Sequence, residues 1–268
     1  MRLTACIPCY NSASTIEAAI DAIRAQSVPI QELFVADDGS TDETAERARA
    51  RGVRVVEMGS NQGRGAVRAR CVEETKTEFL LSVDGTGAIA PDFVETATPW
   101  FEDPEVGVTF GRITQEPGRT TAERWRGRHL YKVDEVQTGG LKDGLITWAF
   151  MARVEALRQV GNFDRSLRHS EDLDMGRRLI GAGWKIAYEP AALVVTQSSN
   201  TMSQVLERFW RWHGGLHPRF SARDYFRAIA YSFKVHAKRD LAARDPASAL
   251  ISLWLPHYCA YRSLTYRS

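Results

Sequence analysis

The first hundred residues alternate between short apolar runs and helical patterns. Leu3 to Pro8 is apolar and is followed by polar turn residues, which predicts a strand. Ser14-Thr15-Ile16-Glu17 has the spacing of a capping box, and Ile16, Ile20 and Ile23 follow at helical intervals, so a helix with one buried face comes next. Glu32 to Ala36 is a second strand, Asp38-Gly39-Ser40 turns the chain, and Thr41 or Asp42 caps a helix that ends near Gly52. The alternation then repeats: a strand over Val53 to Glu57, a helix over Arg64 to Lys76, an apolar strand from Glu78 to Val83 that stops at Asp84. Pro91 opens a helix running to about Phe101, and Val106 to Ile113 is a further strand.

Strand and helix in alternation predict an α/β fold whose mixed, mostly parallel sheet is flanked by helices. Such sheets bind ligands beyond the carboxyl ends of their strands. Pro8, Cys9, Tyr10, Asp37, Asp38 and Asp84 fall at those ends. Beyond Gly111 the pattern is less regular. Thr121 to Val136 reads as an Arg-rich helix and Ile146 to Arg153 as a strand. Glu171 to Ala182 reads as a helix closed by Gly183, with short strands at Trp184 to Tyr188 and Ala192 to Val195. From about Ser198 the chain is helical, basic and aromatic. The expected organisation is one compact domain over residues 1–198, with halves of about 1–110 and 111–198, and a helical extension over 199–268.

Composition narrows the class. The chain has 268 residues, 44% hydrophobic and 25% charged, with a net charge of +2, which argues against disorder and against a dedicated nucleic-acid binder. No run of about 18 apolar residues predicts a spanning helix. Met1-Arg2-Leu3-Thr4-Ala5 runs straight into the first strand without the look of a secretion signal, so a cytoplasmic location is expected. The four cysteines are scattered, and disulfides are not expected. Cys6 and Cys9 form a CxxC, but no helix opens directly at it and no second pair completes a zinc site. A buried thiol at the strand end is the expectation.

Four clusters carry candidate chemistry. The first joins Ile7-Pro8-Cys9-Tyr10-Asn11 to Val35-Ala36-Asp37-Asp38-Gly39-Ser40-Thr41-Asp42. A carboxylate at a strand end can accept from a base N–H and a tyrosine can stack on the base, although the same residues also make a good turn and cap. The second, Gly59 to Gly65 leading into Val67-Arg68, permits close backbone approach to a ligand but lacks the dinucleotide fingerprint, and a plain loop is its simpler reading. The third, Ser82-Val83-Asp84-Gly85-Thr86, puts an acid where a metal or sugar hydroxyl would sit, or simply ends a strand. The fourth runs from Gly161-Asn162-Phe163-Asp164 to Ser170-Glu171-Asp172-Leu173-Asp174. Its acids complement a helix dipole, or one of them serves as a general base.

In this order and at these separations the clusters resemble the family 2 glycosyltransferases, which have the GT-A fold. IPCYN resembles the opening strand motif and VADDGSTDET the uridine-binding turn. NQGRGAVRA resembles the Asn-x-Gly…Ala-Arg-Asn segment, with Ala69 where Asn is usual. FMARVEALRQVGNFD and EDLDMGRRLIGAGWKIAYEPAALV resemble the stretches before and around the catalytic acid. Arg208-Phe209-Trp210-Arg211-Trp212 fits the (Gln/Arg)-x-x-Arg-Trp pattern. The resemblance covers about residues 3 to 213. It implies that residues 1–110 bind a nucleotide sugar and 111–198 face the acceptor. It also implies that Pro8, Tyr10 and Asp38 hold the nucleoside, that Arg68 lies near the nucleotide, and that Asp84 is the first acid of the DxD motif and so the candidate metal ligand. Asp172, with Glu171 beside it, is implied as the base of an inverting transfer from a UDP-sugar or another nucleotide sugar. The implied acceptor is a hydroxyl of a glycan or a lipid-linked sugar in polysaccharide synthesis.

The pattern breaks at the metal. Thr86 replaces the second acid of DxD, and Thr196 stands where many members have a His after the last core strand. A hydroxyl is a poorer ligand for Mg or Mn than a carboxylate. Three readings stay open: a metal held by Asp84, the diphosphate and water; replacement of the metal by Arg68, Arg208 and Arg211, with Trp212 beside them at the diphosphate; or a non-catalytic domain that binds a nucleotide sugar or a partner protein. A nucleotidyltransferase ranks lower, because no Gly-rich, Lys/Arg-containing loop follows the first strand. In the tail, Tyr225 to Lys238 puts Phe226, Ile229, Ala230 and Phe233 on one face. A packed helix and a peripheral helix on the inner face of the cytoplasmic membrane both fit it.

Overall fold

The computed structural model describes residues 1–213 and 221–265. Internal contacts divide them into two units, residues 1–114 with 136–198 and residues 115–135 with 199–268, the second described here as far as 213 and over 221–265. The first unit opens with β1 (Leu3–Cys9), α1 (Ile16–Arg24), β2 (Glu32–Asp37), α2 (Thr44–Ala50), β3 (Arg54–Glu57), α3 (Arg64–Glu74) and β4 (Phe79–Val83). It continues through β5 (Gly87–Ile89), α4 (Phe93–Ala97) and β6 (Val106–Thr114). After the excursion into the second unit come β7 (Gly140–Leu141), β8 (Ala149–Arg153), α6 (Val154–Gln159), α7 (Glu171–Gly181) and β9 (Lys185–Thr196). The intervening α5 (Thr121–Arg126) belongs to the second unit, with α8 (Met202–His213), α9 (Ala222–Tyr231), α10 (Lys238–Ala242) and α11 (Pro246–Thr265).

Among the described residues nine strands form one mixed sheet in the order β3-β2-β1-β4-β8-β6-β9-β5, with β7 added against β9. The first four positions are parallel, and β8 joins β4 and β6 antiparallel. The period of two along β1 sorts its side chains onto opposite faces. Leu3, Ala5, Ile7 and Cys9 enter one core with Ile16, Ala19, Ile20 and Ile23 of α1. Cys6 enters the other with Phe34, Leu80, Val67 and Cys71. Each fully buried Ile or Leu here contributes about 2 kcal/mol of transfer free energy before entropy is charged.

Several expectations are corrected. The Cys6/Cys9 pair is split between the two faces, because a spacing of three reverses direction in a strand. Against the expectation of no disulfides, Cys6 is bonded to Cys71, whose helix packs on β1 with a Cα–Cα separation of 6.0 Å; Cys9 stays a buried free thiol. Ser14 makes no capping bond among the described residues: Thr15 is the residue before α1 and makes no side-chain cap, its hydroxyl donating instead to Gly85 O at 2.7 Å. The predicted strands at 184–188 and 192–195 are one strand, β9, with a bulge where the register against β6 jumps between Gly111 and Arg112. A Cβ on Gly111 would lie 2.3 Å from Ala192 O, so the bulge needs glycine there. The helix predicted over 121–136 is α5 followed by a wide turn, Gly127–Tyr131, ended by Lys132 in the left-handed region.

The second unit has a polar core. Asp240, fully buried, accepts from His129 at 2.8 Å and Ser252 at 2.5 Å and is paired with Arg128, while Trp125 Nε1 donates to Ser252 at 2.9 Å. Satisfied networks of this kind hold elements in one arrangement. No helix among the described residues is long and apolar enough to cross a membrane.

Candidate functional site

The carboxyl ends of β1, β2 and β4 lie side by side, since β1 pairs with both neighbours. Loops leave the sheet there and are knitted to one another. Asn11, left-handed at φ 48°, accepts from Thr41 N–H at 2.9 Å and receives the Ser40 hydroxyl oxygen as acceptor for its own N–H at 2.9 Å. Ser12 N–H donates to Thr44 Oγ1 at 2.7 Å. The predicted nucleoside residues fall on this rim. Pro8 is buried in β1, Tyr10 is 46% exposed just beyond it, and Asp38 follows β2.

Asp38 does structural work that the sequence did not disclose. Its two carboxylate oxygens accept from Gln62 N–H at 2.7 Å and Gly63 N–H at 2.9 Å, which pins the glycine loop against the strand ends. Burial raises its pKa against those hydrogen bonds. Gly39, at φ +71°, lets this loop close, because a Cβ there would meet the Ser60 backbone at 2.5 Å.

α3 begins where that loop ends. Arg68, one turn in and 4% exposed, donates to Asp84 Oδ1 at 2.6 Å and to Glu171 Oε1 at 3.2 Å. Burial opposes its charge, but the two carboxylates outweigh burial and raise its pKa, so the guanidinium is held charged. Asp84 carries a raised pKa from burial, countered in part by Arg68 and Arg64. Glu171 is buried, and its second oxygen, Oε2, has no hydrogen-bond partner among the described residues. One cation thus joins the end of β4 to the start of α7.

Asp172 stands next on α7. The helix is entered through Ser170, which is left-handed at φ 62°, a strained conformation for a side-chain-bearing residue. One Asp172 oxygen accepts from Leu173 N–H at 2.8 Å. Burial and then the neighbouring Glu171 raise its pKa, while Arg68 and Arg64 oppose them. A carboxyl with a raised pKa near paired charges suits proton transfer. Arg64 is the residue that sequence reading passed over. It is exposed at the first position of α3 and close enough to bias both Asp84 and Asp172. Its only sequence signal is its place after Gly63 at a helix start, where the positive end of the dipole lies.

The donor set does not fit a divalent cation held by the protein. Asp84 spends an oxygen on Arg68. Thr86 and Thr196 are neighbours, since Gly87 pairs with Thr196 and Gln197 N–H donates to Thr86 O at 2.8 Å; they bring only hydroxyls, and that of Thr196 is 3.0 Å from Ser198 Oγ. Among the described residues no three His, Cys, Asp or Glu side chains converge as a metal site. Arg208, Arg211 and Trp212 lie on α8 of the second unit, where Arg208 donates to Tyr131 Oη at 2.6 Å.

The family described as glycosyl transferase family 2 matches residues 4–161 of the chain. The succinoglycan biosynthesis protein ExoA of Rhizobium meliloti is 29% identical over 229 residues, covering 78% of this chain and 66% of that protein. The pre-mycofactocin glycosyltransferase of Mycobacterium tuberculosis is 27% identical over 201 residues, covering 72% of this chain and 42% of that protein. The chain therefore spans less than two thirds of the length of these relatives. A mannosyltransferase of Pyrobaculum calidifontis, solved with GDP-Man and Mn2+, superposes with a TM-score of 0.61 at 19% identity, covering 100% of this chain and 88% of that one, which establishes the shared GT-A fold.

Proposed function

Because the chain belongs to glycosyl transferase family 2, we propose that it transfers a sugar from a nucleotide-sugar donor, a UDP-sugar, to a hydroxyl of a glycan or lipid-linked acceptor, with inversion at the anomeric carbon. The observation that carries this reading is Asp172: a carboxylate of raised proton affinity at the start of α7, beside the Arg68–Asp84–Glu171 cluster at the strand ends. In the proposed step Asp172 takes the proton from the acceptor hydroxyl as that oxygen bonds to the anomeric carbon. The bond from that carbon to the diphosphate breaks on the opposite face, and the nucleoside diphosphate leaves with the electron pair. Tyr10, exposed at the rim, stacks on the base above Pro8, while Asp38 holds the loop that borders it.

Negative charge grows on the leaving diphosphate and needs a counter-charge. We assign that to Arg64 and the positive end of α3, with Arg68 neutralising Asp84 so that the carboxylate does not repel the leaving group. The working place proposed for the chain is the inner face of the cytoplasmic membrane, as a peripheral protein.

The test is transfer of a labelled sugar from UDP-sugars, with GDP-sugars in parallel, in excess EDTA. Turnover is expected to survive chelation, and Arg64→Ala is expected to lower kcat about a hundredfold, as the loss of one transition-state donor does. Complete loss of turnover in EDTA, restored by manganese, contradicts the assignment of the counter-charge to arginine.

A further inference from the structure

The second unit carries an apolar face for which the transfer chemistry has no use. α9 runs on through the turn at Ser232–Ala237 into α10, and this length exposes Phe226 (67%), Phe233 (63%) and Leu241 (59%) at helical spacing. α11 exposes Leu250 (70%), Trp254 (60%) and Tyr261 (61%) in the same way. The two stripes are continuous. Phe233, Leu241 and Leu250 line one apolar concavity of about 570 Å³. Farther along, the Tyr225 hydroxyl lies 2.8 Å from His257 Nδ1, with Phe226 against Tyr225 and Trp254 against His257 at ring separations of 5.6 and 5.5 Å. Scattered exposed apolar residues are ordinary on a protein surface, but a contiguous set of aromatics on adjoining helices marks a docking surface.

Charge selects the occupant. Residues 222–242 hold five Lys or Arg against two Asp, and residues 246–265 hold no acid at all. Of the two acids, Asp224 caps its own helix and Asp240 is buried with His129 and Ser252. Arg223, Arg227, Lys234 and Lys238 are exposed, and none has an acidic side chain within 4 Å among the described residues. Arg227 and Lys234 border Tyr231 and Val235, and Lys238 borders the apolar concavity. Aromatic anchors flanked by cations without internal counter-ions match a surface that is apolar inside and negative at its rim. That is the headgroup boundary of an anionic bilayer.

We propose that the face formed by α9, α10 and α11 docks on an anionic phospholipid bilayer, with Phe226, Phe233 and Trp254 entering the headgroup layer and Arg223, Arg227, Lys234 and Lys238 binding lipid phosphate. This deepens the peripheral location stated above and is independent of the transfer chemistry, so its failure leaves the role of Asp172 standing.

The experiment is vesicle flotation of the full chain with phosphatidylcholine alone and with phosphatidylcholine containing phosphatidylglycerol, at low and high salt. Binding is expected to the anionic vesicles, to weaken with salt, and to fall about fivefold for each of Arg227→Glu and Lys234→Glu. Phe233→Ser combined with Trp254→Ser is expected to lower binding at least tenfold. All these positions are exposed, so the variants are expected to melt like the parent, and Lys234→Glu alone keeps the test valid if the double variant does not. Equal binding to both vesicle types, or binding untouched by all variants, overturns the proposal. So does concentration-dependent dimerisation lost in Phe233→Ser with no vesicle binding, which would give the face to a second copy of the chain.

Discussion

Asp172 illustrates how neighbours set the task of one side chain. Burial raises its pKa first and the adjacent Glu171 adds to the rise, so the folded protein holds the Asp172 proton more tightly than an exposed aspartate does. For activity the sign is simple: the base works only when deprotonated, so kcat/KM should rise with pH through a value above the ordinary aspartate range. Glu171→Gln removes a like charge and should move this rising limb to lower pH, a displacement that a merely structural role for Glu171 would not produce. For stability the same shift means that Asp172 contributes favourably below its unfolded pKa and that this contribution is lost as pH rises through its folded value. Asp172→Asn should therefore leave stability unchanged or raised near neutral pH. A pH–rate profile of the parent and the two variants, with urea midpoints, checks both signs.

At the level of elements, the site depends on how α3 meets the loop before α7. Gly65 N–H donates to Leu167 O at 2.9 Å, and a Cβ on Gly65 would lie 2.0 Å from Asp164 O. Gly65→Ala should cost about 1–3 kcal/mol by overpacking and lower kcat/KM as well, because the same helix carries Arg64 and Arg68. Gly181, at the end of α7 with open space around it, is the control: Gly181→Ala should be neutral or stabilising by up to about 1 kcal/mol. Urea midpoints and rates for the two variants decide it. Much at this scale was legible in the sequence. The period-two and period-3.6 patterns located β1, α1, β2, α3, β4 and α7 to within a few residues, since each must bury one face. The misses have local causes. The Ser14 capping box fails because α1 starts one residue later, after Thr15, whose hydroxyl turns to the carbonyl of Gly85, and β9 bends through a bulge that a strand pattern read as a break. The true capping boxes, Thr120 with Glu123 and Ser221 with Asp224, went unread.

Across the molecule, the order of motifs was more informative than any one of them. DDGSTD, NQGRG and SEDLD each admit a turn or cap reading, and the structure uses parts of them that way, as Asp38 shows. Their joint order gave the family, and the sheet brings the acids and Arg68 to one rim. What one dimension hid was partnership. The bond from Cys6 to Cys71 spans 65 residues, and the pairing of Arg68 with Asp84 and Glu171 spans 16 and 103. The grouping of residues 115–135 with the C-terminal helices has no compositional mark either, because it follows from contacts such as Arg124 to Asp245 at 2.8 Å. Whether Asp172 is the base with which this chain moves a sugar is decided by transfer from a labelled nucleotide sugar, measured for the parent chain and for Asp172→Asn. Turnover is expected from the parent and a loss of about 10²–10⁴ in kcat from the variant, with donor binding kept. Equal rates in the two proteins would contradict that role for Asp172.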